Sequence, residues 1–413
     1  MADKGDATDR SFWRSPAAVL ACGAAVLAIS VSIRHAFGLF LQPMSTSQGW
    51  GREVFAFAIA IQNLVWGIAQ PFAGRLADRF GDGRVIAGGA VVYAAGLALM
   101  AMSTTPGLLM LSAGLLVGLG LAGTAFTIVF GAVARAVPAD KRSEAMGIAG
   151  AAGSFGQFAM LPTALWLIGA LDWHGALLAM AGIAATMLLM VPILARANGR
   201  VAMTEPEMSA RDALAEALSH RGFWLLCLSF FVCGFQIVFI GTHLPAYLVD
   251  RGLGLEAGTV VLALVGLFNI LGSWLFGRWG AAVRKPLLLA GIYLARAVGI
   301  AFLVLMPASN GAAWLFGAWM GFLWLGTVPL TNGTVATIFG VRNLSLLGGV
   351  VFLFHQIGSF LGGWLGGAAY DRLGSYDLVW LMAIALSLGA AALSLPIREQ
   401  ALPRLRLAPH APA

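Results

Sequence analysis

Charge is the property this sequence has least of. Only 10% of its 413 residues are Asp, Glu, Lys or Arg, against about a quarter in an ordinary soluble domain. Combined with a hydrophobic content of 60% and a mean hydropathy of +0.86, that shortage excludes a soluble globular protein and implies an integral membrane protein. Cysteine is scarce too. Cys22, Cys227 and Cys233 all fall inside apolar runs, which excludes a disulfide framework or a cysteine-rich metal site. There is no nucleotide-binding glycine loop, no His and acid cluster with metal spacing, and no Ser-His-acid arrangement in a loop. Neither an enzyme nor a cofactor or metal is therefore expected. Carboxylates are missing from the interiors of the apolar runs. The 18 acids fall at run ends or in loops, among them Glu53, Asp78, Glu144, Asp250, Glu256 and Asp371.

What is present is a series of apolar stretches longer than ~18 residues separated by short polar breaks, the pattern of spanning helices and not of a barrel. Twelve spans are predicted, at about residues 17–43, 53–79, 84–104, 107–134, 142–170, 174–196, 222–249, 256–279, 285–306, 311–337, 343–370 and 375–397. The polar start MADKGDATDRSFWRSP precedes an apolar run too long for a signal-peptide core, so the first span is expected to be retained. Of the 25 Lys and Arg residues, twenty fall on the segments that share a side with the N-terminus and only Arg52, Arg251 and Arg372 on the other. This bias predicts that both termini are cytoplasmic. It also explains the net charge of +7 by topology, with no nucleic-acid partner. The bilayer is the main partner, and a monomer is expected.

GRLADRFGDGR (74–84) after the second span and GRWGAAVRK (277–285) after the eighth form an internal repeat of six helices. The fold class expected is therefore all-α, twelve transmembrane helices in two pseudo-symmetric six-helix bundles, residues 1–196 and 222–413. A cytoplasmic linker, 197–221, joins them. In that linker Ser209 and Asp212 suit a helix cap, and Leu214 and Leu218 share a face. Repeats of this kind make transporters whose substrate site lies near mid-membrane between the halves. Glycines spaced for close helix packing recur in the fifth span (Gly147, Gly150, Gly153, Gly156) and the eleventh (Gly358, Gly362, Gly363, Gly366, Gly367).

Two cations, Arg34 and Arg296, lie inside spans. An arginine at mid-membrane costs roughly 2.5–3.5 kcal/mol on insertion scales and normally faces a cavity with a partner. No carboxylate is available within the spans, so the missing partner of Arg34 is expected to be the substrate, an anion held by the planar fork of the guanidinium. Snorkelling or pairing to a backbone carbonyl is the alternative for Arg34. His35, ~100° around the helix, suits packing or an interhelical hydrogen bond. The repeat sets Gln236 opposite Arg34, with His243 two turns further out. His355 in the eleventh span is the candidate titrating group, with His243 as a second proton-coupling candidate. Arg296 is expected either to brace the cavity from behind or to contact substrate. Asn269 and Asn332 join the candidate substrate-binding residues, with Gln62, Asn63 and Gln157 as further polar positions.

GRLADRFGDGR resembles the signature loop of the major facilitator superfamily, and its place after the second of twelve helices fits as well. The resemblance implies that Gly74, Asp78, Arg79 and Arg84 form an interdomain charge relay that gates conformation. The second copy carries Ala281 and Ala282 where an Asp-Arg pair would stand. Gly156 is followed by Gln157, unlike the Gly-Pro of the superfamily's drug-proton antiporters. IRHAFGLFLQ resembles the first helix of monocarboxylate transporters, with Arg34 in the place of the family's cationic residue. QGWGREVF and THLPAYLVDRGL are similar to segments of bacterial members and of oxalate:formate antiporters. The family's helix-eight arginine falls near Ser273, and His355 is the nearest counterpart to the oxalate carriers' helix-eleven lysine. The resemblance thus implies a secondary active transporter of a small organic anion, a monocarboxylate, by alternating access in a bacterial inner membrane. Proton symport and anion exchange are both open. The alternative is an exporter of drugs or neutral metabolites, with Phe126, Phe230 and Trp324 as an aromatic wall.

Overall fold

A computed structural model describes residues 15–137, 142–195, 208–340 and 343–406. The spans are α1 (Pro16–Leu39), α2 (Arg52–Ala77), α3 (Asp82–Ala101), α4 (Pro106–Val133), the continuous stretch Ala145–Leu194, α7 (Arg221–Asp250), α8 (Leu255–Ala282), α9 (Lys285–Leu305), α10 (Asn310–Phe339), α11 (Leu346–Leu373) and α12 (Asp377–Ser394). Ala145–Leu194 is 50 residues long, more than one membrane crossing needs. It bends at Asp172, whose backbone is non-helical with a positive φ (φ 55°, ψ −177°), so its arms are α5 before the bend and α6 after it. The Asp172 carboxylate accepts hydrogen bonds from the backbone N–H of His174 (2.7 Å) and Gly175 (3.2 Å), satisfying the first free donors of α6. Twelve crossings result, with both chain ends on one side, here called the terminal end; the opposite side is the far end.

Local chemistry sets the helix limits. Ser15 accepts from Ala18 N–H with Pro16 at the first turn, Thr105 from Leu108 N–H with Pro106, and Ser309 from Ala312 N–H. Ser209 caps a linker helix, Ala210–Ser219, by accepting from Asp212 N–H while donating to the Asp212 carboxylate. Its buried face is Ala213 and Ala217, whereas Leu218 is exposed. The expected Leu214 and Leu218 face is thus rotated, because the small alanines allow the helix to lie closer to its neighbours.

Four spans are interrupted, α6 by a 3-10 stretch at Thr186–Met190. α1 tightens into a 3-10 turn at Phe37–Leu39, α4 breaks at Ala125 (φ −89°, ψ −172°), and α10 breaks between Leu323 and Thr327. Such breaks persist in a membrane only where neighbouring groups satisfy the freed backbone. In the fifth span the glycine series is used unevenly. A Cβ on Gly156 would strike the backbone of Ala28, while one on Gly147 would meet nothing within 4 Å. In α11, Gly358 and Gly362 admit the backbone of α7, and Gly367 admits the backbone of α2 from the other half.

α1 to α6 form one bundle and α7 to α12 the other. Inside each bundle, at the terminal end, lies a partly buried ion pair: Arg135 to Asp82 in the first half, and Lys285 to Glu399, in the segment after α12, in the second. The Lys285 backbone N–H also donates to Glu399 (2.9 Å). The halves themselves meet elsewhere. Among the described residues, every hydrogen bond and ion pair between them lies at mid-depth or at the far end.

The far-end contact is dense. Arg52 forks onto Asp250 of the other half (Nη1–Oδ2 2.6 Å, Nη2–Oδ1 2.8 Å), donates to the Tyr376 hydroxyl (3.0 Å) and lies 3.7 Å over the Tyr370 ring. Asp371 of α11 accepts from the backbone N–H of Arg52 (2.9 Å) and of Glu53 (2.7 Å). It thus caps α2 from across the interface, the residue at the N-cap position being Gly51 with no side chain to do so. Glu53 in turn accepts from Trp364 Nε1 (2.8 Å). Deeper in, Gly38 lies directly on the Gly241 carbonyl where α1 crosses α7, and Thr242 beside it is buried. At the terminal end a Cβ on Gly74 of α2 or Gly277 of α8 would meet nothing within 4 Å. The structure is therefore closed at the far end and open at the terminal end.

Two outcomes follow. Arg52→Asp places like charges at the latch and should raise far-side labelling of Thr242→Cys by a membrane-impermeant maleimide severalfold, with the swap Arg52→Asp/Asp250→Arg returning the rate toward the parent's. Asp82→Ala, which leaves Arg135 without its partner, should destabilise the protein by about 3 kcal/mol, measured as a lowered melting temperature in detergent.

Candidate substrate site

Arg34 occupies the last α-helical turn of α1, just before the 3-10 segment. The side chain is half-buried and turns toward α2, where Nη2 donates to Asn63 Oδ1 (2.6 Å). The guanidinium carbon lies 5.2 Å from the centroid of Trp66. Both neighbours are held in place: Asn63 Nδ2 donates to the Ile59 carbonyl (2.7 Å) and Trp66 Nε1 to Gln70 Oε1 (2.8 Å). Every partner of this cation is neutral. Its buried Nε has no hydrogen-bond partner, and the ion pairs among the described residues involve other cations. An amide oxygen carries only a partial charge, so the guanidinium retains both an unused donor and an unbalanced unit charge.

Between Arg34 and the closed far end remains a cavity of about 20 Å³, lined by His35, Phe37, Gly38, Gly241 and Thr242 as well as Arg34. One water fits such a space, whereas a carboxylate with a carbon tail does not. Access to Arg34 in this state is from the terminal end.

The second half faces this site with α11. His355 is buried, stacks on Phe352 (5.7 Å, 10° between rings) and lies 4.7 Å from Phe230. Its Nδ1 pairs with Gln356 Oε1 (3.0 Å), and Gln356 Nε2 crosses to the Asn63 carbonyl of α2 (2.9 Å). Phe352 also packs edge-on against Trp66 (5.3 Å). Arg34 and His355 thus belong to one mid-depth cluster drawn from both halves, with Asn63, Trp66, Phe352 and Gln356 between them.

The other candidates lie around this cluster. Arg296 is fully buried. Its Nη2 donates to the carbonyls of Leu323 (2.8 Å) and Trp324 (2.6 Å), and Nη1 reaches Gln236 Oε1 (3.3 Å). It caps the C-terminal end of the first arm of α10, where freed carbonyls and the helix dipole both favour a cation. Gln236 is fixed from its other end by donation to the Ala383 carbonyl (3.0 Å) and Ser387 Oγ (2.9 Å). Asn269 serves the other side of the same break, accepting from Leu325 N–H (3.0 Å) and donating to Ser154 Oγ of α5 in the opposite half (2.8 Å). His243 lies beneath the far-end latch. Its Nε2 donates to the Gly363 carbonyl (2.7 Å), and Nδ1 faces the Tyr376 hydroxyl (3.4 Å) that also receives Arg52. Asn332 is exposed, close to Gly348 of α11. In the signature loop Arg79 and Arg84 are exposed, and Arg84 reaches only the Phe80 carbonyl (3.5 Å). The Asp78 side chain lies outside the described residues.

Sequence reasoning singled out Arg34 and His355, with Asn63 among further polar positions, but not Trp66, Phe352 or Gln356. Gln356, immediately after His355, was the available signal: a second polar side chain in the same apolar turn. Asn63 and Trp66 carried a fainter one, since Asn63 and Trp66, three apart on α2, share a face.

Comparison with known proteins agrees with this architecture. The family model described as Major Facilitator Superfamily matches residues 20–363. The chain is 24% identical over 374 residues to the uncharacterized MFS-type transporter YcxA of Bacillus subtilis (strain 168), covering 86% of this chain and 88% of the relative. It is 26% identical over 343 residues to monocarboxylate transporter 13 of Bos taurus, covering 82% and 78%. Monocarboxylate transporter 12 of Xenopus laevis is 24% identical over 332 residues, 71% of this chain and 69% of the relative. With twelve crossings in two bundles and a family match over most of its length, the chain belongs to the Major Facilitator Superfamily and is a multi-pass membrane transporter, not an enzyme.

Proposed function

We propose that this transporter carries a small organic anion, a monocarboxylate, by alternating access, with Arg34 as the group that binds the carboxylate. The observation that carries the reading is the Arg34 guanidinium at the interface of the two halves with a single hydrogen-bond partner, the neutral Asn63 side chain, whereas Arg296, whose Nε is also buried without a partner, is held by three acceptors within one half. Two of the relatives bear the name monocarboxylate transporter, which supports the same substrate class.

The physical cycle follows from charge. A carboxylate entering from the terminal end can accept from Nε and an Nη in the planar geometry that guanidinium favours. Binding neutralises the site, so the loaded cluster can be closed off from water at a lower electrostatic cost than the bare cation. Closing the terminal end then requires the far-end latch to open. Arg79, Arg84, Gly74 and Asp78 would meet the opposite half in that second state, consistent with the exposure of Arg79 and Arg84 in this one. By the positive-inside rule the terminal end is cytoplasmic and the membrane is a bacterial inner membrane. His355 is the group that would take up a proton in symport; anion exchange needs no such step. Arg296, Gln236 and Asn269 act as the frame of the α10 break, and His243 supports the latch.

The test is counterflow in proteoliposomes. Arg34→Gln should lower carboxylate exchange by about a hundredfold, in line with the ~2–5 kcal/mol typical of removing one partner from a buried charge pair. The variant should remain monodisperse with an unchanged helical spectrum. Wild-type exchange by that variant would reject the assignment and favour the exporter of neutral compounds.

A further inference from the structure

One side chain at the seam has no role in the reading above. Gln356 is fully buried and is the sole side chain of α11 that hydrogen-bonds α2 at mid-depth among the described residues. Its Nε2 donates to the Asn63 carbonyl (2.9 Å), while the side-chain oxygen of that same Asn63 receives Arg34 (2.6 Å). The approach depends on Gly67, one turn after Asn63. A Cβ there would fall 2.7 Å from Gln356 Cβ and 2.9 Å from Cγ. The two residues therefore form one crossing, a glycine notch on α2 filled by an amide from α11.

The orientation of the amide is fixed by its other end. The Asn63 carbonyl can only accept, so Nε2 must face it and Oε1 must face His355. Oε1 in turn can only accept, so His355 Nδ1 (3.0 Å) carries its proton and donates. Ser359 Oγ donates to the same oxygen at 3.4 Å. With an unprotonated Nδ1, two lone pairs would face each other at one end of the amide, and flipping the amide would only move that clash to Asn63. The chain from His355 through Gln356 to Asn63 and Arg34 is consistent in one direction of donation only.

We infer that Gln356 is a positioning residue for the Arg34 site: oriented by His355, it holds Asn63 from the opposite half while the far end is closed and lets go when the far end opens. This rests on the reading of Arg34 as the carboxylate ligand. Through this crossing, the conformational balance and the aim of the anion-binding residue become one property. Loss of the crossing removes a bond made only in the far-end-closed state, so it shifts the population toward the far-end-open state. Because fewer molecules then present Arg34 to the terminal side, the apparent affinity from that side falls in proportion to the far-end-closed fraction that is lost.

The experiment uses the full chain with Thr242→Cys, labelled from the far side by a membrane-impermeant maleimide without substrate. The parent with Thr242 serves as background, since Cys22, Cys227 and Cys233 are buried. Gln356→Leu and Gly67→Ala, substitutions on opposite halves, should each raise the labelling rate about three- to tenfold, the range for one intramembrane hydrogen bond. The terminal-side KM for carboxylate should rise by the smaller factor set by the far-end-closed fraction that is lost. Gly67→Ala keeps every atom of Gln356 and decides the matter should Gln356→Leu not fold. His355→Phe/Gln356→Leu should label no faster than Gln356→Leu alone, because both break one chain. Unchanged labelling in the folded single variants, or faster labelling of His355→Phe/Gln356→Leu than of Gln356→Leu alone, overturns the inference. Failure of the carboxylate reading shows separately, as wild-type exchange by Arg34→Gln with the labelling result intact.

Discussion

The structure is organised around a positive charge that the protein itself does not neutralise. Arg34 stands at the meeting of the two halves, with an amide oxygen, an indole face and a buried N–H that has no acceptor. A guanidinium in such surroundings costs free energy that the fold must recover elsewhere. The contrast with Arg296 is informative. That cation is more deeply buried, yet two backbone carbonyls and Gln236 surround it and it closes a helix end. Each intramembrane arginine thus has only neutral partners and a buried Nε with no hydrogen-bond partner; they differ in that three acceptors at the α10 break hold Arg296, whereas one amide oxygen at the seam of the halves holds Arg34.

Carboxylates are distributed to match. Those of the described residues lie at or near helix ends and in the linker helix, away from the Arg34 guanidinium. Asp82 and Glu399 form ion pairs within a bundle, whereas Asp250, Asp371 and Glu53 join one bundle to the other at the far end. A carboxylate placed beside Arg34 would satisfy it permanently and remove the reason to bind an anion. With acids at the rim and a bare cation at the centre, the far end can be latched by ion pairs that do not compete for the interior site. The mid-depth crossing of Gln356 to Asn63 then connects the two levels.

Much of this was readable before the fold was known, and the remainder was hidden for physical reasons. Span positions follow from the hydrophobic runs, and the turn near residue 172 from the short polar interruption between two of them, where Asp172 supplies the cap. Arg34 announced itself as a cation in an apolar run with no intramembrane acid. Its partner did not, because Asn63 is one of several amides in the spans and which of them faces α1 is decided by packing. The latch was invisible for a different reason: Arg52 pairs with a residue 198 positions away and is capped by one 319 positions away, and nothing local in either segment identifies the other. The break in α10 was also concealed, since GFLWLGTVPL reads as a continuous apolar run and only the carbonyls turned to Arg296 reveal it. Glycine spacing suggested close packing along the whole fifth span, but a Cβ on Gly147 would meet nothing within 4 Å.

The central claim is that the interior site recognises negative charge. Equilibrium titration of the purified transporter with a short monocarboxylate and, in parallel, with its methyl ester compares two ligands of nearly equal shape that differ in that charge. The acid should bind saturably, with affinity falling as salt rises, and the ester should show no binding in the same range. Equal affinity for the two would mean that Arg34 is part of the scaffold and that the cavity selects its cargo by shape alone.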